Sequence, residues 1–429
     1  MLRGGYSILG GFCFVHAADL HLDSPFASLK AGSPRLAQAF IDASRASLQA
    51  LAGVCIERGA DFLVLAGDVF DAEQQSIRAQ FELFEALSEL ARQGIHTYIA
   101  YGNHDALSGW RAILDWPEEV HFFGADRVES YPVSVGGEVA AVVAGISYAQ
   151  PAVVENLALR FRKNDGDPFT IGVLHSNVGG DPAHENYAPC TLSDLVSTGI
   201  DYWALGHVHS PRVLSERDPA IIYPGCTQGR NPRETGPGGC FVVHVDSGGR
   251  VEYEFVPVDV IRWHVADIHI DGMSNLGDLV EEAKAEIARL AQASDGRSCA
   301  VRFRLFGRGP VHSQLAEGGG ADDLVSAVGE DIAPGTRFDW IESIQDFTRP
   351  DVDRDALLAG GSLISDFLSL ADEARSGPGA LERIREMLAG DLAHPRAARI
   401  IRDMSDEELV ALVDRAESVG IGLLLGEEV

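Results

Sequence analysis

The stretch Phe62-Leu63-Val64-Leu65-Ala66-Gly67-Asp68-Val69-Phe70-Asp71 begins with an apolar run that ends at Ala66. Gly67 and Asp68 follow directly, and Asp71 comes three residues after Asp68. The apolar part has the composition of a buried strand. Four further polar signals follow apolar runs in the same way: Asp19-Leu20-His21, Gly102-Asn103-His104-Asp105, His175 and Gly206-His207-Val208-His209. In an open α/β sheet the carboxyl ends of the strands line one crevice, where residues distant in sequence converge. The pattern therefore predicts one polar site at five strand ends.

The predicted site has the ligand chemistry of a binuclear metal centre. Carboxylate, amide oxygen and imidazole donors come from seven residues: Asp19, His21, Asp68, Asn103, His175, His207 and His209. A lone His after a strand is more often structural than a ligand. Polar motifs of this type at five strand ends of one chain nevertheless favour metal binding. Two ions about 3.5–4 Å apart can bind the attacking and leaving oxygens of a phosphoryl transfer. The donors suit Mn²⁺ or Mg²⁺, and the imidazoles also suit Zn²⁺ or Fe²⁺.

The motifs also carry a family resemblance. Asp-x-His, Gly-Asp-x-x-Asp, Gly-Asn-His-Asp, a lone His and Gly-His-x-His, in this order, resemble the calcineurin-like metallophosphoesterases. Residues 14–22, 65–71 and 223–230 resemble, more narrowly, the SbcD/YhaO-type DNA repair exonucleases. The resemblance covers roughly residues 12–260. It implies an α/β fold, namely a four-layer α/β/β/α sandwich.

The resemblance implies a role for each site residue. One ion is held by Asp19, His21, Asp68 and His209. The other ion is held by Asp68, Asn103, His175 and His207, so that Asp68 bridges the two. His104 is not a ligand but a general acid or a donor to developing charge, and Asp71 orients it. Some nuclease relatives carry His where Asp71 stands, and a cap on the following helix is the alternative interpretation of Asp71. The resemblance, not the spacing, favours Mn²⁺.

The expected function is that of a binuclear-metal-dependent phosphodiesterase acting on DNA, as an exonuclease in DNA repair. Water or hydroxide bound between the ions would attack phosphorus in line. One alternative is a phosphodiesterase or phosphatase of small nucleotides or phosphoproteins with the same metals. Another is a catalytically silent scaffold of the same fold, against which the complete ligand set and His104 argue. The resemblance also implies an SMC-like, SbcC-type ATPase as partner.

The charge of the chain opposes a DNA substrate at first sight. The formal net charge is −30, whereas DNA-binding proteins usually present a basic surface to the phosphates. Candidate DNA contacts are nevertheless present: Arg230 and Arg233 after the fifth motif, and Arg302, Arg304 and Arg308 on or beside one face of a later strand. Ordinary solvated arginines are the alternative. The acidity predicts weak intrinsic DNA affinity and reliance on a partner.

Composition indicates a soluble globular protein. The 429 residues are 46% hydrophobic and 23% charged, and no run approaches the ~20 apolar residues of a membrane span. We therefore expect a cytoplasmic protein with no membrane contact. Six cysteines without a CxxC pair are expected to be buried reduced thiols. The oligomeric state is left open, and a homodimer is one alternative because relatives dimerise through helices of this domain. Phe81, Phe84 and Leu87 are the candidate positions, with core packing as the alternative.

The sequence predicts four segments. Residues 1–11 are expected to be a disordered extension, and residues 12–260 form the metallophosphoesterase catalytic domain. Residues 261–350 are predicted to form a small α/β cap domain, with helical spacing at 279–290, strand alternation at 299–305 and a loop at 317–321. Residues 351–429 carry three amphipathic stripes and form a C-terminal helical segment. This segment either docks a partner or completes its own domain.

Overall fold

The computed structural model describes residues 11–24, 34–71, 76–108, 114–181, 185–316, 324–325, 337–352, 354–377, 379–391 and 395–425. The predicted loop at 317–321 lies outside the described residues, as does the predicted extension except for Gly11. The chain divides into two compact units. The first contains Met1–His264, Ala293–Ala300 and Ile332–Phe338, and the second contains Val265–Gln292, Val301–Asp331 and Asp339–Val429.

The first unit is built on two six-stranded sheets. Its strands, in chain order, are β1 (Phe12–Ala17), β2 (Phe62–Ala66), β3 (His96–Ala100), β4 (Val120–Phe122), β5 (Glu129–Val135), β6 (Glu138–Gly145), β7 (Phe169–His175), β8 (Tyr202–Gly206), β9 (Arg212–Ser215), β10 (Ala220–Tyr223), β11 (Gly239–Val245) and β12 (Val251–Pro257). Its helices are α1 (Pro34–Glu57), α2 (Ile77–Arg92) and α3 (Leu192–Ser197), with a 3₁₀ turn at Leu157–Arg160.

The strand directions bring the polar motifs to common sheet edges. The first sheet has the order β12-β11-β1-β2-β3-β4, in which β1, β2, β3 and β4 are parallel. The second has the order β5-β6-β7-β8-β10-β9, in which β6, β7, β8 and β10 are parallel. Parallel neighbours need crossover connections, which α1 and α2 supply in the first sheet. The motifs after β1, β2 and β3 therefore share one edge, and those after β7 and β8 share another.

Apolar packing joins the sheets and helices into layers. Between the sheets, the rings of Phe14 and Phe62 stack with centroids 5.0 Å apart, and Tyr202 of the second sheet meets Phe14 edge-on at 5.1 Å. Leu48 of α1 is buried against the outer face of the first sheet, and α3 lies on the outer face of the second. The predicted four-layer α/β/β/α sandwich is therefore confirmed.

The three candidate apolar positions of helix α2 differ in burial. Leu87 is buried in the core, Phe84 packs against Trp116 with ring centroids 5.3 Å apart, and Phe81 is exposed. Core packing is thus the correct interpretation for Leu87. Phe81 is the position that remains available for a homodimer.

Two predictions from composition meet different outcomes. All six cysteines are free and buried, as predicted: Cys13, Cys55, Cys190, Cys226, Cys240 and Cys299. One helical segment, Gln38–Glu57 in α1, has the length and hydropathy of a membrane span. Leu51 and Cys55 of α1 are buried in the hydrophobic core beside the first sheet. A buried core helix can have the same length and hydropathy as a membrane span. The absence of membrane contact stays a prediction.

The remaining elements form a smaller sheet and a set of helices. The strands β13 (Ile261–His269), β14 (Ser298–Phe306) and β15 (Asp339–Asp346) form a sheet in this order. The helices are α4 (Leu276–Ala293), α5 (Pro310–Ala316), α6 (Arg354–Ala359), α7 (Leu363–Ser376), α8 (Ala380–Asp391), α9 (Pro395–Asp403) and α10 (Asp406–Leu425). The C-terminal segment is helical as predicted. Ser405 and Glu408 form reciprocal capping bonds of 2.7 and 3.2 Å at the start of α10.

Candidate metal centre

Several ligand-type residues occupy strained backbone conformations. Asp19, His21, Asp68 and His207 have φ angles of 52°, 44°, 50° and 103°. Side-chain-bearing residues rarely adopt such angles, which cost on the order of 1–3 kcal/mol each and cluster at functional sites. The Asp19 backbone N–H donates to the backbone carbonyl of Gly67 at 3.0 Å, and the His21 backbone N–H donates to the backbone carbonyl of Asp68 at 3.0 Å. These bonds join the loops that follow β1 and β2.

Asp68 lies between imidazoles from different strand ends. Its Oδ2 is 3.4 Å from His175 Nε2 and 3.7 Å from His21 Nε2, and its Oδ1 accepts the backbone N–H of His104 at 2.9 Å. Burial raises the pKa of this carboxyl, but His175 and His21 outweigh burial and hold the pKa well below its usual range. A buried carboxylate in this position is suited to bridging two cations.

Each of three imidazoles has one ring nitrogen held by an oxygen outside the ligand set. His175 Nδ1 is 3.0 Å from Ala66 O, His207 Nε2 is 2.7 Å from Glu185 O, and His209 Nδ1 is 3.0 Å from Glu234 Oε1. Donation to these oxygens uses one nitrogen of each ring and directs the other nitrogen toward the ligand group.

The other ring nitrogens face further oxygen atoms. Asn103 Oδ1 is 3.0 Å from His175 Nε2 and 3.3 Å from His207 Nδ1, and Asp19 Oδ1 is 3.9 Å from His209 Nε2. Positive charge between such a nitrogen and oxygen, whether a proton or a metal cation, stabilises the contact. The donor set therefore fits divalent ions at these points.

His21 supports the same conclusion independently. The ring is fully buried, and among the residues that the structure describes neither of its nitrogens has a hydrogen-bond partner. An unsatisfied buried polar group costs about 1–3 kcal/mol. Burial and the charge of Arg230 lower the pKa of His21 well below its usual value, which favours the neutral form of the ring. A neutral buried imidazole without a hydrogen-bond partner is suited to metal ligation.

The ligand-type atoms form compact groups. Those of Asp19, His21 and His209 lie within 4.8 Å of one another, as do those of Asp19, Asp68 and His175. Asn103 adds an oxygen beside His175 and His207. All seven predicted ligands are thus brought together. Divalent ions bound here would neutralise charge on phosphate oxygens and lower the pKa of bound water. Which residue holds which ion, and the preference for Mn²⁺, stay predictions.

Three glycines make room for His175. A Cβ on Gly67 would lie 2.3 Å from His175 Nδ1, and a Cβ on Gly102 would lie 2.3 Å from Asp68 Oδ1 and 2.8 Å from the His175 ring. A Cβ on Gly206 would lie 1.9 Å from Ala66 O and 2.9 Å from His175 Nδ1. Each glycine therefore permits a close approach that no other residue allows.

We expect Gly206→Ala to destabilise the protein by about 3 kcal/mol, the upper part of the range for overpacking, and to reduce hydrolysis strongly. The methyl group would collide with the backbone of β2 and displace His175. Chemical denaturation and hydrolysis of a small phosphodiester would measure both effects. Gly53→Ala in α1 is the matched control, because a Cβ there meets nothing within 4 Å. Equal behaviour of the two variants would contradict the packing argument.

Asp105 organises the loops of the site, a role that sequence reasoning missed. Its Oδ2 accepts from the backbone N–H groups of Val69 and Phe70 at 2.7 and 3.3 Å, and its Oδ1 accepts from Gly102 at 2.7 Å. The carboxylate thereby connects the loop after β2 to the loop after β3. Its place in Gly-Asn-His-Asp was the available sequence signal.

His104 lies at the exposed side of the buried ligand group. Its side chain is 39% exposed, its Nδ1 is 3.4 Å from Asp71 Oδ1, and its ring meets the His21 ring edge-on at 4.8 Å. Burial lowers the pKa of His104, but the hydrogen bond with Asp71 and the charge of Asp68 outweigh it and raise the pKa above its usual value. The ring therefore keeps its proton to a higher pH than a free histidine. This property suits a proton donor.

Asp71 is not the cap of the following helix. Ser76 caps α2, where its hydroxyl accepts the backbone N–H of Ala79 at 3.1 Å. Asp71 instead contacts His104 and accepts a 2.9 Å hydrogen bond from Ser24. Asp71 therefore does not cap α2, and residues 72–75 lie outside the described residues. The orienting role of Asp71 stays a prediction that this geometry favours.

The five arginines predicted to contact DNA differ in their surroundings. Arg230 is only 13% exposed and lies 3.6 Å from Asp71 and 3.3 Å from Glu234. Arg302 pairs with Glu342 at 2.8 Å, and Arg304 pairs with Asp267 at 2.6 Å. In the part of the chain that the structure describes, Arg233 and Arg308 make no side-chain ion pair. Contact of these five arginines with DNA stays a prediction.

Comparisons with known proteins agree with this geometry. The family described as Calcineurin-like phosphoesterase matches residues 13–211, and the family described as Metallophosphoesterase YhaO, middle domain, matches residues 263–349. The chain is 36% identical over 341 residues to the uncharacterized metallophosphoesterase YhaO of Bacillus subtilis (strain 168), covering 80% of this chain and 83% of that protein.

More distant relatives are DNA double-strand break repair proteins named Mre11. The identity is 27% over 275 residues for the protein of Methanopyrus kandleri, covering 58% of this chain and 57% of the relative. It is 26% over 242 residues for that of Archaeoglobus fulgidus, covering 52% and 51%. The chain thus spans about half the length of these relatives. With its motif order, two-sheet sandwich and YhaO similarity, the chain belongs to the calcineurin-like metallophosphoesterases.

Proposed function

We propose that this protein is a metal-dependent phosphodiesterase acting on DNA, as an exonuclease in DNA repair. The observation that carries the proposal is the arrangement of a part-exposed His104 beside seven predicted ligand side chains, most of which are buried. A phosphate seated over such a group would have a proton donor next to it. The similarity to proteins named for DNA double-strand break repair supports DNA as the substrate.

The chain's own residues have distinct tasks in this proposal. Asp71 accepts from Nδ1 of His104, which leaves Nε2 to deliver a proton to the departing oxygen. Asp68 accepts the backbone N–H of His104, so the donor is fixed relative to the buried carboxylate. Divalent ions, when bound, would supply charge neutralisation and activated water. No covalent enzyme intermediate is required.

The choice of substrate is open to a direct test. Purified protein with Mn²⁺ would be assayed on linear duplex DNA, on cyclic nucleotides and on a generic diester. We expect hydrolysis of the generic diester and progressive shortening of the linear DNA. Turnover of cyclic nucleotides without DNA shortening would favour the alternative of a small-nucleotide phosphodiesterase. Activity on none of them in the metal-loaded protein would favour the silent scaffold.

Arg233 and Arg308 are the strongest candidates for phosphate contacts, because no carboxylate neutralises their side chains among the described residues. We expect Arg233→Ala and Arg308→Ala each to reduce the slope of log affinity against log salt by about one unit. Fluorescence anisotropy with labelled duplex DNA would measure the slope. Arg304→Ala is the control, since Asp267 already neutralises that guanidinium. Unchanged slopes would make both residues ordinary solvated arginines.

The acidic composition favours a partner that brings DNA to this site. We propose an SMC-like ATPase, which the C-terminal helices would dock in the cytoplasm, and a homodimer of the chain itself. Leu363 of α7 is 70% exposed, and Leu370 and Met387 are also exposed, whereas Leu368 and Ala371 are buried within the unit. The helices therefore use part of their apolar surface for their own packing and leave part for another protein.

A further inference from the structure

A buried ion pair connects the metal-ligand group to the proton donor. Glu234 and Arg230 are 9% and 13% exposed, and together they contact His209, Asp71 and Ser24. We propose that Glu234 and Arg230 are positioning residues that orient His209 toward its ion and Asp71 toward His104. The inference rests on the proposed metal-dependent hydrolysis but concerns residues that have no role in the ligand set.

Glu234 is held on both carboxylate oxygens. Its Oε1 accepts from His209 Nδ1 at 3.0 Å, from Asn231 Nδ2 at 2.9 Å and from Arg230 Nη2 at 3.3 Å. Its Oε2 accepts the backbone N–H of Arg230 at 2.7 Å. This fixed carboxylate and Arg230 Nη2, at 3.2 Å, both contact His209 Nδ1, and His209 Nε2 lies 3.9 Å from Asp19 Oδ1.

Glu234 also differs in charge from the corresponding partners of the other imidazoles. His175 and His207 donate to neutral backbone carbonyls, whereas His209 donates to a carboxylate. A carboxylate partner raises the basicity of a metal-bound imidazole and fixes its orientation. Loss of Glu234 should therefore lower the affinity for the ion that His209 holds and leave the affinity for the other ion unchanged.

Arg230 extends the same arrangement to the proton donor. Its Nη1 is 3.6 Å from Asp71 Oδ2 and 3.3 Å from Ser24 Oγ, and its Nη2 reaches Glu234. Ser24 donates to the same Asp71 oxygen at 2.9 Å. Asp71 Oδ1 is left to face His104 Nδ1. The planar guanidinium reaches both carboxylates at once, which a lysine ammonium cannot reproduce.

The first test measures Mn²⁺ binding to the metal-free full-length protein by calorimetry, without substrate. Glu234→Ala should lower the affinity for one of the two ions by about 10–100-fold, the usual effect of removing a residue that orients a metal ligand. Glu234→Gln should lose less, because its amide oxygen still accepts from His209. Asn103→Ala, which removes a ligand of the other ion only, identifies which binding step belongs to which ion.

The second test measures kcat and KM for a small phosphodiester. Arg230→Lys should lower kcat by about 10-fold or more with little change in KM, because it disturbs the donor and not substrate binding. Asp259→Asn is the matched control, since Asp259 forms a buried 2.9 Å ion pair with Arg262 elsewhere in the unit. It should lower the melting temperature without changing Mn²⁺ affinity or kcat.

Specific outcomes would overturn the inference. Equal weakening of both ions in Glu234→Ala, in step with a lower melting temperature, would assign the pair a structural role only. Unchanged Mn²⁺ affinity in Glu234→Ala, or unchanged kcat in Arg230→Lys, would also contradict it. If Glu234→Ala does not fold, a smaller loss of affinity for the same ion in Glu234→Gln and a lower kcat in Arg230→Lys support the inference, and their absence contradicts it. The Mn²⁺ measurements need no DNA, so a failure of the proposed DNA substrate would be recognised separately.

Discussion

Asp68→Ala is expected to remove both metal ions and to abolish hydrolysis. The carboxylate is buried, and one of its oxygens lies 3.4 Å from His175 and 3.7 Å from His21, which come from different strand ends. Removal of a bridging ligand affects both ions at once. Metal content by atomic emission and the rate on a generic diester would be measured on the same preparation.

Asn103→Ala serves as the comparison for Asp68→Ala. The Asn103 side chain contacts His175 and His207, and the family resemblance assigns all three to the same ion. We expect this variant to lose one ion and keep the other. An Asp68→Ala protein that retained two ions and measurable activity would show that Asp68 does not bridge.

His104→Gln is expected to keep both ions and to lose turnover by roughly 10²–10⁴-fold, the usual contribution of a general acid. The side chain is not one of the seven predicted ligands, and the substitution keeps the backbone N–H that donates to Asp68. Steady-state kinetics and metal content would be measured together. Asp71→Asn should lose less activity, because it keeps an oxygen that can accept from Nδ1.

One outcome would remove His104 from its assigned role. If His104→Gln lost its metal along with its activity, the ring would be a ligand or a structural element of the site. Normal turnover with full metal content would leave the reaction without the proposed donor. Either result would require a different assignment for Asp71 as well, since its contact with His104 is the basis of its predicted role.

The ligand group was predictable from sequence for a physical reason. Each motif follows an apolar run, and parallel strands carry their carboxyl ends to a common edge, so strand assignment was sufficient to predict convergence. Asp68 and His175 are 107 positions apart in the numbering, yet their side chains lie 3.4 Å apart. The layered sandwich itself came from the family resemblance, because no periodicity distinguishes two packed sheets from one.

The partners of charged side chains were not predictable in the same way. Glu234 and Arg230 lie in an irregular segment, where contacts with His209 and Asp71 depend on the folded loop and follow no periodic rule. Strand alternation correctly indicated that Arg302 and Arg304 share a face. It could not show that Glu342 and Asp267 pair with them.

Titration of the metal-free wild-type chain with Mn²⁺, while hydrolysis of a generic phosphodiester is followed, tests the central claim most directly. Binding stoichiometry and rate would be recorded at each step, with a chelator added at the end. We predict two ions per chain, hydrolysis that rises as the second ion binds, and its loss on chelation. Saturation at one ion or none, or hydrolysis that continues undiminished in the chelator, would contradict a binuclear phosphodiesterase.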